Sequence, residues 1–530
     1  MTQPHYDLAI IGAGFAGMYL LHRARSLGLR ARVFEAGTGV GGTWYWNRYP
    51  GARCDIESLQ YSYQFDPTLE QEWQWSERYS PQPEILRYAE HVADRYDLRP
   101  DIQFDSRLTR AALDEENGRW TLEINGAGAA TSQYVVMATG CLSVPNWPKI
   151  DGLERFAGTV VHTALWPHDG VALADKRVAV IGTGSSAIQS IPHIAAQARE
   201  LTVFQRTPNY SIPAHNGPMD KNHERSVKAE YQTMRARARK TMGGIDGVYN
   251  QQPSMDVSAE ERLAAFEQRW ATGGLTFMGA FGDLMLNPDA NSALAEFVRD
   301  KIRSAVDDPE VAERLCPTNI IGGKRLCVDS DYYATYNREH VKLVDVREHP
   351  IERITETAVV AGGDTFEIDV LIIATGFDAM TGALTAVDIR GRDDASLKER
   401  WADGPSSYLG LAMADFPNLF TVTGPGSPSV FTNMLPTIEQ HVDWIAACLG
   451  YMAERGYRHI EATAEAETAW WAHVQEVAAV GLKSTTDSWY LGANVSGKAR
   501  VFMPYYGGFP AYCQKCEQVA ANQYQGFRFT

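Results

Sequence analysis

The chain is poor in paired cysteines. Its 530 residues hold seven, an odd number spread widely. That fits reduced thiols and argues against a disulfide-stapled domain. Only Cys513 and Cys516 stand at Cys-x-x-Cys spacing, and no second pair or histidine cluster completes a zinc site. They read as surface thiols, and no metal is expected. No run of about 18 apolar residues occurs, so no membrane-crossing helix is expected. Basic residues are outnumbered, 49 Lys and Arg against 65 Asp and Glu, for a net charge of −16. An acidic surface argues against nucleic acid or an anionic membrane as main partner and leaves room for local basic pockets. Low-complexity tracts are missing as well. The opening from Asp7 to Leu21 has no basic leader and carries an acid. It reads as strand, turn and helix of a cytoplasmic protein rather than a signal peptide. What remains is ordinary globular composition, 45% hydrophobic and 22% charged, long enough for two or three domains.

Two glycine-rich turns organise that material. Tyr6–Ile11 is a buried-strand run, followed by Gly12, Gly14 and Gly17 and a helical pattern to Arg25. A second strand, Ala31–Phe34, ends in Glu35. Glycines alone are weak evidence; strand, glycines, helix and a strand-end acid together mark a dinucleotide-binding unit. The glycines admit a pyrophosphate to the backbone, and the helix N-terminus offers amides and a positive dipole end. Glu35 would accept hydrogen bonds from ribose hydroxyls, which suits an adenosine without a 2′-phosphate, as in FAD or NAD. The second unit runs Arg177–Ile181, Gly182 and Gly184, a helix through Ala198, and a strand Leu201–Arg206. No acid stands where Glu35 stood. Arg206 and Thr207 occupy the place, and an arginine there suits a 2′-phosphate. The expected cofactors are therefore FAD in the first unit and NADPH in the second.

Two strand runs, Tyr134–Met137 and Val370–Ile373, both lead into Ala-Thr-Gly, at Gly140 and Gly376. They look like the crossing points of a chain that leaves one domain and returns. From Met219 to Val311 strand signals fade and helical, charged sequence takes over. The expected fold class is α/β, with two Rossmann-like dinucleotide-binding domains and a helical insertion. Residues 1–143 and 376–530 would build the FAD-binding domain. Residues 144–217, with an interdomain linker at 144–176, and residues 319–375 would build the NADPH-binding domain, and 218–318 the insertion.

The loop Gly41–Asp55 is rich in aromatics and would wall a flat ring system. Flavin disulfide reductases keep a redox cysteine pair in this region; only Cys54 is present, so that chemistry is disfavoured. Two different nucleotides imply hydride transfer from NADPH to flavin. Reduced flavin then passes electrons to a partner or reacts with oxygen, and no iron–sulfur or disulfide outlet serves the first route. A C4a-peroxyflavin anion needs a neighbouring cation that keeps its proton, which favours arginine over lysine. By composition alone, Lys324-Arg325, after Gly322-Gly323, is a basic turn.

Between the two units lies Phe156-Ala-Gly-Thr-Val-Val-His-Thr-Ala-Leu-Trp-Pro167. By itself this is a buried connector with a satisfied histidine. Its pattern, Phe-x-Gly-x-x-x-His-x-x-x-Trp-Pro, resembles the signature of type I Baeyer–Villiger monooxygenases, flavoenzymes that insert oxygen beside a ketone carbonyl. The likeness, strongest to the phenylacetone and cyclohexanone group, extends over essentially the whole chain. Matching stretches include Gly41–Glu57, Val203–Pro208, Lys324-Arg325, Ala374–Asp378, Gly424–Pro428 and Ser488–Asn494. The resemblance implies conversion of ketones to esters or lactones with NADPH and O2 through a peroxyflavin.

It also implies roles, residue by residue. Arg325 would stand beside the flavin as the catalytic cation, with Asp55 positioning it. Gly12, Gly14, Phe15, Gly17, Glu35, Gly42, Thr43, Trp44, Trp46, Asp55, Tyr61 and Met434 fall at FAD-binding positions. Arg53, Gly182, Thr183, Gly184, Ser185, Ser186, Gln189, Arg206, Thr207, Lys324, Arg325 and Trp489 fall at NADP-binding positions, with Trp489 on a mobile loop. Val430, Phe431 and Thr432 would shape the substrate pocket, and His162 and Trp166 belong to the linker. The implied partners are a small ketone and O2. Oxidation of sulfur or nitrogen centres, and a reductase passing electrons to a partner protein, remain the alternative readings.

Overall fold

An uninterrupted apolar run such as Leu8-Ala-Ile-Ile11 has no face to give to water, so it belongs inside a sheet covered on both sides. The computed structural model, which describes residues 3–125 and 128–530, puts it there. The strand His5–Ile11 is flanked in parallel by Ala31–Phe34 and Gly128–Met137. Ile102–Gln103 extends one edge, and Leu419–Thr421 also joins Gly128–Met137 in parallel. Leu108–Asp114 and Arg119–Ile124 add an antiparallel hairpin, and Asp388–Arg390 closes the other edge. This sheet thus draws strands from 5–137 and from 388–421.

The second sheet is wholly parallel and comes from the intervening chain. Its order is Val341–Asp345, Glu200–Gln205, Arg177–Ile181, Val370–Ile373, Thr159–His162. Both sheets carry a strand–glycine turn–helix, at Phe15–Ser26 and at Ser185–Ala195. A small three-stranded antiparallel sheet, Ile351–Glu367, covers one side of the second.

The expected helical segment is made of Lys221–Ala229, Tyr231–Ala238, Ala259–Thr272, Pro288–Ala305 and Pro309–Leu315. Four of the five begin on a side-chain cap: Asp220, Ser258 in a full capping box with Glu261, Asn287 and Asp308. Such caps satisfy amides that a helix start otherwise leaves open. The segment is pinned to the first sheet's side by buried Arg235. Its guanidinium donates to Glu70 at 3.1 Å, the Gln60 carbonyl at 2.9 Å and Ser62 at 2.7 Å.

Two expectations need correction. The Gly41–Asp55 loop is not wholly irregular, since Thr43–Trp46 forms one helical turn. Cys513 and Cys516 are not a surface pair. They lie on the helix Phe509–Ala521, where a spacing of three puts both on one face. That face packs on the helix Met434–Arg455, with Trp444 donating to the Cys516 carbonyl at 3.1 Å. Cys516 is fully buried and Cys513 half-buried, both as free thiols.

Candidate functional site

In the first unit the chain turns at Gly12 with φ +105°, and a Cβ there would lie 2.8 Å from the Ala138 carbonyl. A Cβ on Gly17 would fall 1.8 Å from the Gly12 oxygen, so strand and helix can cross this closely only with glycine. The helix that follows has no side-chain cap, which leaves its leading amides for a ligand. Glu35 is buried at the next strand end. Its two oxygens accept from the Ala13 and Gly37 amides, each at 2.7 Å, which fixes the carboxylate with lone pairs to spare.

Around this turn stand aromatic walls. Trp44 donates to the Tyr61 hydroxyl at 3.1 Å, and Phe15 meets Tyr61 edge-on at 6.1 Å between centroids. Gly42 approaches Gly14, Trp46 is half-buried, and Thr43 is exposed. Met434, half-buried, opens the helix capped by Asn433. An uncapped helix start, a pre-set acid and flat walls fit a flavin dinucleotide.

The second unit repeats the turn with a different ending. A Cβ on Gly182 would meet the Ala374 carbonyl at 2.4 Å, whereas Gly184 faces open space. Ser185 and Ser186 start an uncapped helix, and Thr183 donates to the Thr207 carbonyl at 2.9 Å. Arg206 is exposed and has no carboxylate partner among the described residues. Lys324 lies close enough that burial and then the Arg206 charge lower its pKa. Two cations that repel each other, relieved only weakly by Asp487, suit an incoming phosphate.

Arg53 is placed differently from a phosphate reader, because Glu77 at 3.0 Å and the Tyr79 carbonyl at 2.9 Å engage its guanidinium. Gln189 binds the two units together. It accepts from the Tyr49 hydroxyl at 2.8 Å and donates to the Arg53 carbonyl at 3.1 Å.

Arg325 sits where three segments meet. Its Nε donates to Asp55 at 3.0 Å, and its Nη2 to both Asp55 oxygens at 2.8 and 2.7 Å. Its Nη1 donates to the Val430 carbonyl at 2.7 Å. Burial opposes the charge, yet Asp55 and then Tyr490 outweigh it and raise the pKa well above an ordinary arginine. The cation is permanent, and one Nη1 hydrogen remains uncommitted. A cavity of about 390 Å³ reaches Asp55 from the insertion side, walled by Glu57, Arg78, Asp246 and Arg269.

The segment that holds Val430 also carries Phe431, whose ring meets Tyr490 at 4.6 Å and Tyr506 at 5.4 Å. Thr432 is buried and shares its hydroxyl with Thr437 at 2.6 Å. Trp489 packs against Tyr490 with ring centroids 4.2 Å apart and planes tilted by 46°. The loop that follows Trp489 is tied down through Asn494 to the Phe377 carbonyl at 2.7 Å and through Lys498 to Asp378. Ser488 Oγ and Asn494 Oδ1 are buried there without a partner among the described residues.

His162 ends an edge strand of the second sheet, where it is 1% exposed. Its Nδ1 accepts from the Ala164 amide at 3.1 Å, and burial pushes its pKa down to about 4. The ring is neutral, and its Nε2 has no partner among the described residues. The histidine is therefore only half satisfied. Trp166 is buried beside Val161 and Leu173 in the core of the second lobe.

Sequence reasoning singles out neither Tyr490 nor Lys483. Tyr490 had a signal in its place next to Trp489. Lys483 had none, because a lysine among serines and threonines looks like a solvated one.

Known proteins resemble this chain over nearly its whole length. The pyridine nucleotide-disulphide oxidoreductase family model matches residues 9–257. A phenazine N-monooxygenase of Lysobacter antibioticus is 42% identical over 99% of this chain and 97% of its own. A Baeyer–Villiger monooxygenase of Pseudooceanicola batsensis is 40% identical over 98% of this chain and 95% of its own. The solved structure of an oxidised steroid monooxygenase bound to NADP superposes with a TM-score of 0.95 at 52% identity, covering 99% of both chains.

Proposed function

The chain belongs to the type I Baeyer–Villiger monooxygenases, and on that premise we propose that it oxidises a ketone to an ester or lactone with Arg325 as the catalytic cation. It is an FAD- and NADPH-dependent monooxygenase. When bound, the reduced flavin supplies the activated oxygen. The single observation that carries the residue assignment is the Asp55–Arg325 pair, joined by Nε and Nη2 across 270 positions of sequence.

Asp55 holds the guanidinium plane, and one Nη1 hydrogen has no acceptor among the described residues. A cation fixed in place stabilises negative charge as it develops, without reorganising at that moment. The Val430 carbonyl couples the arginine's position to the loop carrying Phe431 and Thr432, so substrate shape and charge stabilisation share one support. Glu35 and the Gly12–Gly17 turn would hold FAD. Gly182–Ser186, Arg206, Thr207 and Lys324 would hold NADPH, with Trp489 closing on it. Arg53, engaged by Glu77, would act through its backbone contact with Gln189 rather than through its charge. Under this reading 1–143 and 376–530 form the FAD domain, 144–217 and 319–375 the NADPH domain, and 218–318 the insertion.

Among the described residues no helix is long and apolar enough to cross a membrane; we place the protein in the cytoplasm, acting on a small ketone and O2. The phenazine N-monooxygenase relative favours one second reading, oxygen transfer to nitrogen or sulfur. Product analysis with a ketone and a sulfide offered together separates the two. Ester formation coupled to NADPH and O2 consumption supports the first, and sulfoxide without ester supports the second. NADPH oxidation indifferent to both would point to a reductase.

A further inference from the structure

Lys483 is a charged group beside the pocket loop that the reaction as derived above does not use. It follows the helix Ala464–Val480 and precedes Trp489. Its Nζ lies 5.0 Å from the centre of the Phe431 ring, 5.2 Å from Tyr490 and 5.8 Å from Tyr506. It donates one hydrogen bond, to the Gly322 carbonyl. No carboxylate lies within ion-pair distance of it among the described residues. An ammonium has three N–H donors, so two lack a protein acceptor.

The rings around it belong to one apolar cluster. That cluster also contains Val430, Met434 and Trp489, the pocket loop, the flavin side and the nucleotide loop together. Gly322 leads directly to Lys324-Arg325, and Met278 and Met285 of the insertion pack on it. Lys483 therefore faces the place where all three parts meet.

A cation in such a setting is costly. Three ring faces and one carbonyl attract it, but they replace only part of its hydration. Burial and then the like charge of Arg325 bring its pKa down to about 7. An anionic partner would remove the cost by supplying both the missing acceptor and the counter-charge. A solvated surface lysine gains less from a ligand, since water already serves it, whereas water reaches half-buried Lys483 only in part.

We propose that Lys483 determines substrate choice: its ammonium selects ketones that carry an anionic group, with a carboxylate as the simplest case. The carbonyl then lies toward Arg325 and the carboxylate toward Lys483, with the aromatic rings around the body between them. This inference rests on the Baeyer–Villiger reading and adds a substrate class to it.

The test uses the FAD-loaded enzyme with NADP+ and a matched pair, an aromatic keto acid and its isosteric carboxamide. Binding is read from the flavin absorbance change of the oxidised enzyme, and kcat and KM from turnover. The wild type is expected to bind the acid more tightly than the amide. Lys483→Met should weaken acid binding roughly 10- to 100-fold and leave the amide within about twofold. Lys483→Arg should keep the preference for the acid. A wild type without preference for the acid overturns the proposal even if the variants fail to fold. So does a Lys483→Met enzyme whose acid-to-amide ratio is unchanged. Loss of NADP+ affinity with that ratio intact would assign Lys483 to the nucleotide instead. If neither these compounds nor a panel of simple ketones yields an ester, the assignment of ketone oxidation fails, and the binding ratio still decides the role of Lys483.

Discussion

The two nucleotide-binding units share a turn and differ in how the next strand ends. Each has a strand, a glycine at φ above +100°, and an uncapped helix. After Phe34 comes Glu35, buried, with two backbone amides already on its oxygens. After Gln205 comes Arg206, exposed, with Lys324 near it and no carboxylate partner among the described residues. One ending is pre-satisfied and rigid, suited to a cofactor that stays. The other gathers charge of one sign that only an anion relieves, suited to a cofactor that comes and goes. The shared turn accounts for dinucleotide binding, and the strand ends account for which dinucleotide.

The strongest test strikes where the units meet. Arg325 follows Gly322-Gly323 and Lys324 on the second unit's side, while Asp55 ends the first unit's aromatic loop. Arg325→Ala should lower ester formation roughly 100- to 1000-fold, the usual cost of removing a preorganised charge-stabilising group. FAD should stay bound, because Arg325 touches none of the Gly12–Glu35 turn. Arg325→Lys should also fail, since an ammonium cannot reproduce the two-pronged contact with Asp55. Asp55→Ala should slow the same step and add little to Arg325→Ala, because two residues acting as one unit are not additive. Additive losses in the double variant would separate the pair and undo the shared-site picture.

Glu35→Ala attacks the rigid ending. It removes the carboxylate and leaves the Ala13 and Gly37 amides buried without their acceptor, at about 1–3 kcal/mol for an unsatisfied group. FAD affinity should fall on the order of 100-fold, and the protein should purify largely colourless. The NADP+ dissociation constant, measured by calorimetry on FAD-reconstituted enzyme, should change little. A yellow, fully loaded Glu35→Ala enzyme would mean that the two endings do not divide the labour as described.

Arg206→Ala attacks the open ending and should be milder. The NADPH Michaelis constant should rise roughly 10- to 100-fold for loss of a charge-assisted contact, with the NADH value nearly unmoved. Equal effects on the two nucleotides would leave Lys324 as the sole phosphate reader.

Much of this contrast was legible in the sequence, because it is local. Strand, glycines, helix and the residue after the next strand lie within one short stretch, and backbone sterics constrain what they do. The helical insertion was legible too, from the loss of strand patterning, though not its docking through Arg235. What stayed hidden arises between distant segments. Nothing near Val430 says that its carbonyl receives Arg325, and nothing near Arg53 says that Glu77 occupies its guanidinium. Lys483 becomes notable only when rings from positions 431, 490 and 506 close around it. Cys516 misled for the same reason: its spacing suggested a surface pair, and packing against Trp444 decided otherwise.

The smallest expected effect compares two buried acids on the FAD side. Glu35 has an amide on each oxygen. Glu439 receives the Gln64 amide at 2.6 Å and the Phe65 amide at 3.0 Å on one oxygen, and its other oxygen is buried without a partner among the described residues. Burial accordingly pushes its pKa up to about 8, against the opposing pull of the Gln64 amide and of Arg235. An unfolded glutamate titrates near 4.3. Between those values the folded protein holds a proton that the unfolded chain has released, so stability falls as pH rises through the window, and the loss is complete above about 8. Glu439→Gln keeps an acceptor for the two amides and removes the titration. The wild-type melting temperature should therefore drop relative to Glu439→Gln as pH is raised from about 5 to 9, on the order of one or two degrees for a chain this long. Parallel pH profiles for the two proteins would show that Glu439 holds its charge in the fold, and that one well-paired oxygen serves a buried acid as well as two.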